Sequence, residues 1–193
     1  MRLLVAALIL LGLAQPAAAQ DRRLADRLDA TTAAAVQGVV DSASREGLPT
    51  EPLVQKALEG STLGASGDRI VTAVGALRGQ LRRAREALGG RASEADLTAA
   101  AGALRAGLPP AALERLQSLR GDRPLVVPIA VLTDLVAEGV PQDEATRSVL
   151  DLARHGRPDE EFMALRERRT DADGGAPGGR PPLRPAVDPP VKR

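Results

Sequence analysis

The tripeptides Gly47-Leu48-Pro49, Gly107-Leu108-Pro109 and Gly139-Val140-Pro141 decide the fold, because each ends one helical pattern and another begins directly after it. A helix commonly ends with glycine in the left-handed region at C′, an apolar C″ residue that folds back onto C3, and proline just beyond. All three tripeptides fit this Schellman pattern. They predict helices that stop and reverse direction at defined residues.

The sequence around each turn supplies the apolar contacts that such a turn needs. With glycine at C′, the C3 residue is alanine or leucine and the C″ residue is leucine or valine. Apolar residues also precede each turn at helical spacing and recur four residues after each proline, which predicts one buried face per helix. Gly156-Arg157-Pro158 is a weaker fourth copy. The C3 and C″ pairs are Ala43 and Leu48, Ala103 and Leu108, and Leu135 and Val140; the residues after the prolines are Leu53, Leu113, Ala145 and Phe162.

These turns divide the chain into about eight short helices, so we expect an all-α fold, an irregular array or bundle. Ser93-Glu94-Ala95-Asp96 resembles a capping box with Asp in place of Glu, and it should open the fourth helix. Pro128 should fall in the first turn of the sixth. The expected spans are 22–46 with a break near Thr31-Thr32, then 51–59, 68–88, 94–106, 110–119, a helix from after Pro124 to 138, 142–155 and 159–169.

The N-terminus has the pattern of a cleaved leader. Arg2 precedes an apolar run from Leu3 to about Ala14, and Ala17-Ala18-Ala19 offers small residues for cleavage. The run is shorter than the roughly 20 residues that span a bilayer as a helix, so we expect no stable membrane insertion after cleavage. We therefore expect a signal peptide at 1–19, a helical domain at 20–170 and a disordered, Pro/Gly-rich basic tail at 171–193, in a periplasmic or secreted protein.

Composition argues against several classes of partner. Loss of Arg2 with the leader takes the 26 basic residues to 25, which equals the 25 acidic ones. A neutral chain provides no field that attracts nucleic acid, and with 1% aromatic residues it has too few rings to stack bases or sugars. We expect no nucleic-acid partner and a core of Leu, Val and Ala.

No group of residues in the sequence points to a reaction. Asp143-Glu144 and Asp159-Glu160-Glu161 fall in the first turns of expected helices, where carboxylates complement the macrodipole. His155 is the one histidine, at an expected helix C-terminus, and the chain has no cysteine, so a zinc site is not indicated. We predict no catalytic, metal-binding or cofactor-binding residues and no cofactor.

Arg78, Arg82 and Arg85 lie at i, i+4 and i+7 on the third helix and form the densest basic stripe in the expected folded region. The simpler interpretation is a solvated helix face. The functional interpretation is contact with an anion or a partner.

The runs Glu51-Pro52-Leu53-Val54-Gln55-Lys56-Ala57-Leu58-Glu59-Gly60 and Asp68-Arg69-Ile70-Val71, together with the Gly-(Leu/Val)-Pro turns, resemble those of signal-peptide-bearing, Ala- and Arg-rich bacterial helical proteins. The resemblance covers most of residues 46–156. It implies a helical fold and supplies no site residues, because no activity is assigned to that group.

Three hypotheses about function remain. The favoured one is a non-catalytic interaction or scaffold module that holds an envelope or secreted protein on a face or groove of the helical array. The second is an enzyme whose Asp and Glu residues are brought together only by the fold. The third is envelope association through the basic tail and the arginine stripe. A concave polar pocket would favour the enzyme, and an exposed apolar strip would favour the interaction module.

We predict that the mature protein begins at Gln20, because Ala17 and Ala19 are the small pair nearest the end of the apolar run. Mass analysis of the N-terminus of the exported form checks this. A chain that keeps Met1 and sediments with membranes would contradict it.

Overall fold

The computed structural model describes residues 22–174, with side chains to residue 168, and in this range the chain is helical without any strand. This confirms the expected all-α array. A short helical turn at 22–25 comes first. It is followed by α1 (Ala30–Arg45), α2 (Glu51–Thr62), α3 (Gly67–Leu88), α4 (Glu94–Arg105), α5 (Pro110–Arg120), α6 (Val126–Ala137), α7 (Gln142–Arg154) and α8 (Asp159–Gly174).

The helices pack as two rows. Every extensive contact joins helices that are one or two positions apart along the chain. The odd-numbered helices contact one another in succession, and so do α4, α6 and α8. Each helix therefore buries its apolar face mainly against chain neighbours, as in a helical array. The even-numbered helices form the second row, which we call the even row. This row has one gap, because α2 and α4 make no extensive contact with each other.

The three glycine-proline turns are Schellman motifs, as the sequence predicts. In each, the C″ N–H donates to the C3 carbonyl and the glycine N–H donates to the carbonyl three residues before it. Ala43 and Ala103 are buried together with their partners Leu48 and Leu108. The 6→1 bonds are Leu48 to Ala43 at 2.9 Å, Leu108 to Ala103 at 3.0 Å and Val140 to Leu135 at 3.0 Å, with φ of +66° at Gly47, +96° at Gly107 and +93° at Gly139.

Two more helices end in the same way. The turn at Gly156, expected to be a weaker copy, makes both hydrogen bonds, with Arg157 N–H 3.0 Å from the Leu152 carbonyl. The turn at Gly64 was not predicted, because no proline follows it and proline marked the other copies. There the Ala65 N–H donates to the Gly60 carbonyl at 2.9 Å. The motif therefore depends on glycine and not on proline.

The first helix differs from expectation. The break predicted near Thr31-Thr32 lies earlier, at 26–29, and both threonines belong to α1. Asp29 is the N-cap: its Oδ1 accepts from Thr32 N–H at 2.9 Å and its Oδ2 from the Thr32 hydroxyl at 2.6 Å. The Thr32 hydroxyl and backbone N–H hold the pKa of the Asp29 carboxyl below its usual range. A strong cap outweighs the modest helix penalty of β-branched threonine.

The C-terminal helix also differs, since α8 continues to Gly174 and not to residue 169. Residues 171–174, expected to begin the disordered tail, belong to α8. The rest of the expected basic tail and the leader expected at 1–19 lie outside the described residues. Within 22–174, no helix is long and apolar enough to cross a membrane.

A buried carboxylate joins α4 to α6. Ser93 caps α4 as predicted, with its Oγ accepting from Asp96 N–H at 3.1 Å. The Asp96 side chain was expected to complete a capping box. Its Oδ2 instead accepts from the Ser93 hydroxyl at 2.7 Å, and its Oδ1 accepts from the Leu125 N–H at 2.7 Å, at the N-terminus of α6.

A buried cation joins α5 to α8. The Arg120 side chain is 3% exposed and donates to Asp159 Oδ1 at 2.7 Å and to the Pro124 carbonyl at 3.0 Å. Its guanidinium carbon lies 5.2 Å from the centre of the Phe162 ring. Arg120 thus fixes the loop after α5 and the start of α8 to one another.

We expect opposite effects from the same substitution at two glycines. Gly139→Ala should destabilise the protein by about 1 to 2 kcal/mol, because Gly139 has φ +93°, where an L-residue is strained. Gly79→Ala should stabilise it by up to about 1 kcal/mol, because Gly79 is inside α3 and a methyl group there meets nothing within 4 Å. Thermal melts followed by circular dichroism check the signs. Equal losses at both sites would contradict the assignment of the turn.

Arg120→Met should lower the free energy of unfolding by about 2 kcal/mol or more, because it leaves Asp159 and the Pro124 carbonyl without their buried donor. Arg120→Lys should also destabilise, since an ammonium cannot reproduce the planar fork. Arg115→Met, at an exposed position of the same helix, is the control and should change stability by no more than about 0.5 kcal/mol. Denaturant titration measures all three. Similar losses for Arg115→Met and Arg120→Met would contradict the role of Arg120.

Candidate functional site

A groove opens where α2 and α4 fail to meet. It has a volume of about 620 Å³, with α3 as its floor and α2 and α4 as its walls. We call it the α2–α4 groove. Its size falls in the range of ligand-binding clefts. The groove lies at the gap in the even row, where α2 and α4 make no extensive contact.

Each helix contributes one face to the groove. The α3 residues follow one another at i, i+3, i+4 and i+7, and the α2 residues have the same spacing, so each set lies on one side of its helix. Small side chains on α3 and the glycine of α4 leave space in the groove. The floor is Ala73, Ala76, Leu77 and Gln80; the α2 wall is Pro52, Gln55, Lys56 and Glu59; the α4 wall is Thr98, Gly102 and Arg105.

A second depression lies on the other side of α4. This one has a volume of about 580 Å³ and is bounded by α4 and α6, including Ile129 and Thr133. Gly102 and Arg105 line both depressions. A methyl group added at Gly102 would meet nothing within 4 Å, so this part of α4 leaves space for another chain to approach its backbone.

The charges of the groove lie toward one end. Lys56 Nζ is 2.9 Å from Glu59 Oε2. The hydrogen bond from Lys56 holds the pKa of the Glu59 carboxyl below its usual range, with smaller contributions from the charges of Lys56 and Arg105. Glu59 and Arg105 lie near the C-terminal ends of α2 and α4, and both side chains line the groove. The opposite end contains the uncharged side chains of Gln80 and Thr98.

The structure places the predicted basic stripe away from the groove, on the other flank of the buried face of α3. Arg78 forms an ion pair with Glu46. Arg85 donates to the carbonyl of the turn glycine Gly47 at 2.7 Å and to that of Gly90 at 3.1 Å. Arg82 has a longer contact, 3.9 Å, with Glu86. Two of the three arginines thus have structural contacts, and an anion or partner site there stays a prediction.

The other residues weighed in the sequence lie at helix ends. The clusters beginning at Asp143 and Asp159 are in the first turns of α7 and α8. His155 follows the last residue of α7, and its Nδ1 lies 2.9 Å from the Asp151 carbonyl oxygen. Among the described residues, no group of three or more histidine, cysteine, aspartate or glutamate side chains could hold a metal ion.

The groove was not predicted from the sequence. Its residues come from three helices, and their pattern on each helix is an ordinary mixed face with no chemical motif. The available indication was the spacing of Ala73, Leu77 and Gln80, which alone does not distinguish a groove floor from a solvated face.

Comparison with known proteins found no match for this chain among protein-family models, curated proteins or solved structures. The resemblance to Ala- and Arg-rich bacterial helical proteins therefore stays a prediction.

Proposed function

We propose that this protein is a non-catalytic interaction module that holds an amphipathic α-helix of a partner protein in the α2–α4 groove. The observation that carries the proposal is the open groove of about 620 Å³ with an apolar floor on α3. A helix laid in a hydrophobic groove is a common mode of peptide recognition, and it uses apolar side chains at i, i+3, i+4 and i+7.

The length of the groove along α2 fits a short helical segment. On α2 the wall extends from Pro52 to Glu59, which is about two turns of helix. A partner helix would therefore insert three or four apolar side chains between the walls. Such a small contact supports weak and reversible binding, so we expect dissociation constants in the micromolar range.

The chemistry of the lining favours binding over catalysis. Among the described residues, Glu59 is the one carboxylate that lines the groove, and it is paired with Lys56. General acid–base hydrolysis needs at least a positioned base within reach of a second reacting group. The remaining polar groups are Gln80 on the floor and Gln55 and Thr98 on the walls, and all three are suited to hydrogen bonding.

If the leader expected at 1–19 directs export, the partner lies outside the cytoplasm. We therefore infer that the partner is an envelope or secreted protein with an exposed amphipathic helix. Assignment to the periplasm or to the outside depends on export, which the cleavage experiment above tests.

To test the proposal, a displayed library of helix-favouring peptides of roughly 15 residues, about four turns, would be selected against the immobilised mature protein. We expect the enriched peptides to share apolar residues at i, i+3, i+4 and i+7. Ala76→Arg puts a long charged side chain into the groove from an exposed position of α3 and should weaken their binding by about tenfold or more.

Ala35→Arg is the matched control, because Ala35 is exposed on α1, outside the lining of the groove. It should bind the selected peptides as the wild type does. Equal binding by all three proteins would contradict the groove as the site. Failure of the selection to enrich any helical pattern would contradict the proposed function itself.

A further inference from the structure

Resting on the proposed function, we further propose that Arg105 selects partner helices that carry a carboxylate on the flank next to the C-terminal end of α4. The partner is thereby specified as an amphipathic helix with one acidic side chain at this end, adjacent to its apolar stripe. The charged side chains that line the groove are unevenly distributed along it.

Two cations of residues 22–174 line the groove, and one of them already has a counter-ion. Lys56 is 2.9 Å from Glu59, so the charges of that pair largely cancel. Arg105 is exposed, and no carboxylate of the described residues lies within ion-pair distance of it. The groove therefore carries an excess positive charge at the Arg105 end.

The chemistry of the guanidinium determines what it recognises. Its planar fork can donate two parallel hydrogen bonds to one carboxylate, which gives direction as well as attraction. Because Gly102 leaves the neighbouring surface of α4 without a side chain, a partner helix can approach closely enough to place an aspartate or glutamate against Arg105. A lysine at the same place would be repelled by the guanidinium, because the two charges have the same sign.

The contact also gives the partner helix a direction. The opposite end of the groove presents the uncharged Gln80 and Thr98. A helix with an acidic side chain at one end of its apolar stripe can match Arg105 in one orientation only. Arg105 should therefore contribute to specificity more than to total affinity, as charges at the rim of an interface usually do.

The test uses the tightest peptide from the selection in two forms, with glutamate or with lysine at the flanking position. Isothermal titration calorimetry would measure both against the wild-type mature protein, Arg105→Glu and Arg115→Glu. Arg115 is exposed on α5 and outside both depressions, so it controls for the change in net charge. Circular dichroism would check that each variant is folded.

We expect the wild type to bind the glutamate form about tenfold more tightly than the lysine form. Arg105→Glu should reverse this preference and Arg115→Glu should retain it. The preference of the wild type should shrink as salt is added, because the pair is exposed.

The two proposals fail in different ways. If the wild type and Arg105→Glu have the same preference while Ala76→Arg still weakens binding by about tenfold or more, the role of Arg105 is wrong and the groove remains the site. If Ala76→Arg binds both peptides as the wild type does, both proposals are wrong.

Discussion

The left-handed glycine that ends a helix is the constraint on which the whole array depends. It positions the chain so that the C″ residue returns to the C3 carbonyl, and it therefore fixes where the following helix starts and which face it buries. Leu48 and Leu108 are buried by this geometry, next to Ala43 and Ala103. The alanines at C3 leave room for the leucines. The same turn therefore sets both the direction of the chain and which of these side chains are buried.

The polar contacts in the interior perform a different task, because they join helices that the turns alone would leave adjustable. Asp96 holds the N-terminus of α6 beside that of α4, and Arg120 holds the start of α8 beside the end of α5. Asp96 satisfies a backbone N–H at the N-terminus of α6, and Arg120 satisfies a carbonyl of the loop after α5. Removing either side chain leaves buried donors or acceptors without a hydrogen-bond partner. The contacts of Asp96 and Arg120 therefore stabilise one arrangement of the helices over others.

The turns and the buried faces could be predicted from the sequence because they depend on residues within ten positions of one another. Gly139 and Val140, for example, predict the end of a helix from the sequence alone. The bond from Leu125 to Asp96 spans 29 positions and that from Arg120 to Asp159 spans 39, and no local pattern encodes them. The α2–α4 groove is harder still, since it arises from a contact that α2 and α4 do not make.

The restriction of packing to helices one or two positions apart has a consequence for how the protein forms. Such a chain has a low contact order, so little loop-closure entropy must be lost before native contacts begin to stabilise it. α1 and α2 complete their extensive contacts once α3 is available. The N-terminal half can therefore begin to fold during synthesis, before α7 and α8 have left the ribosome, and folding should proceed along the chain from one end.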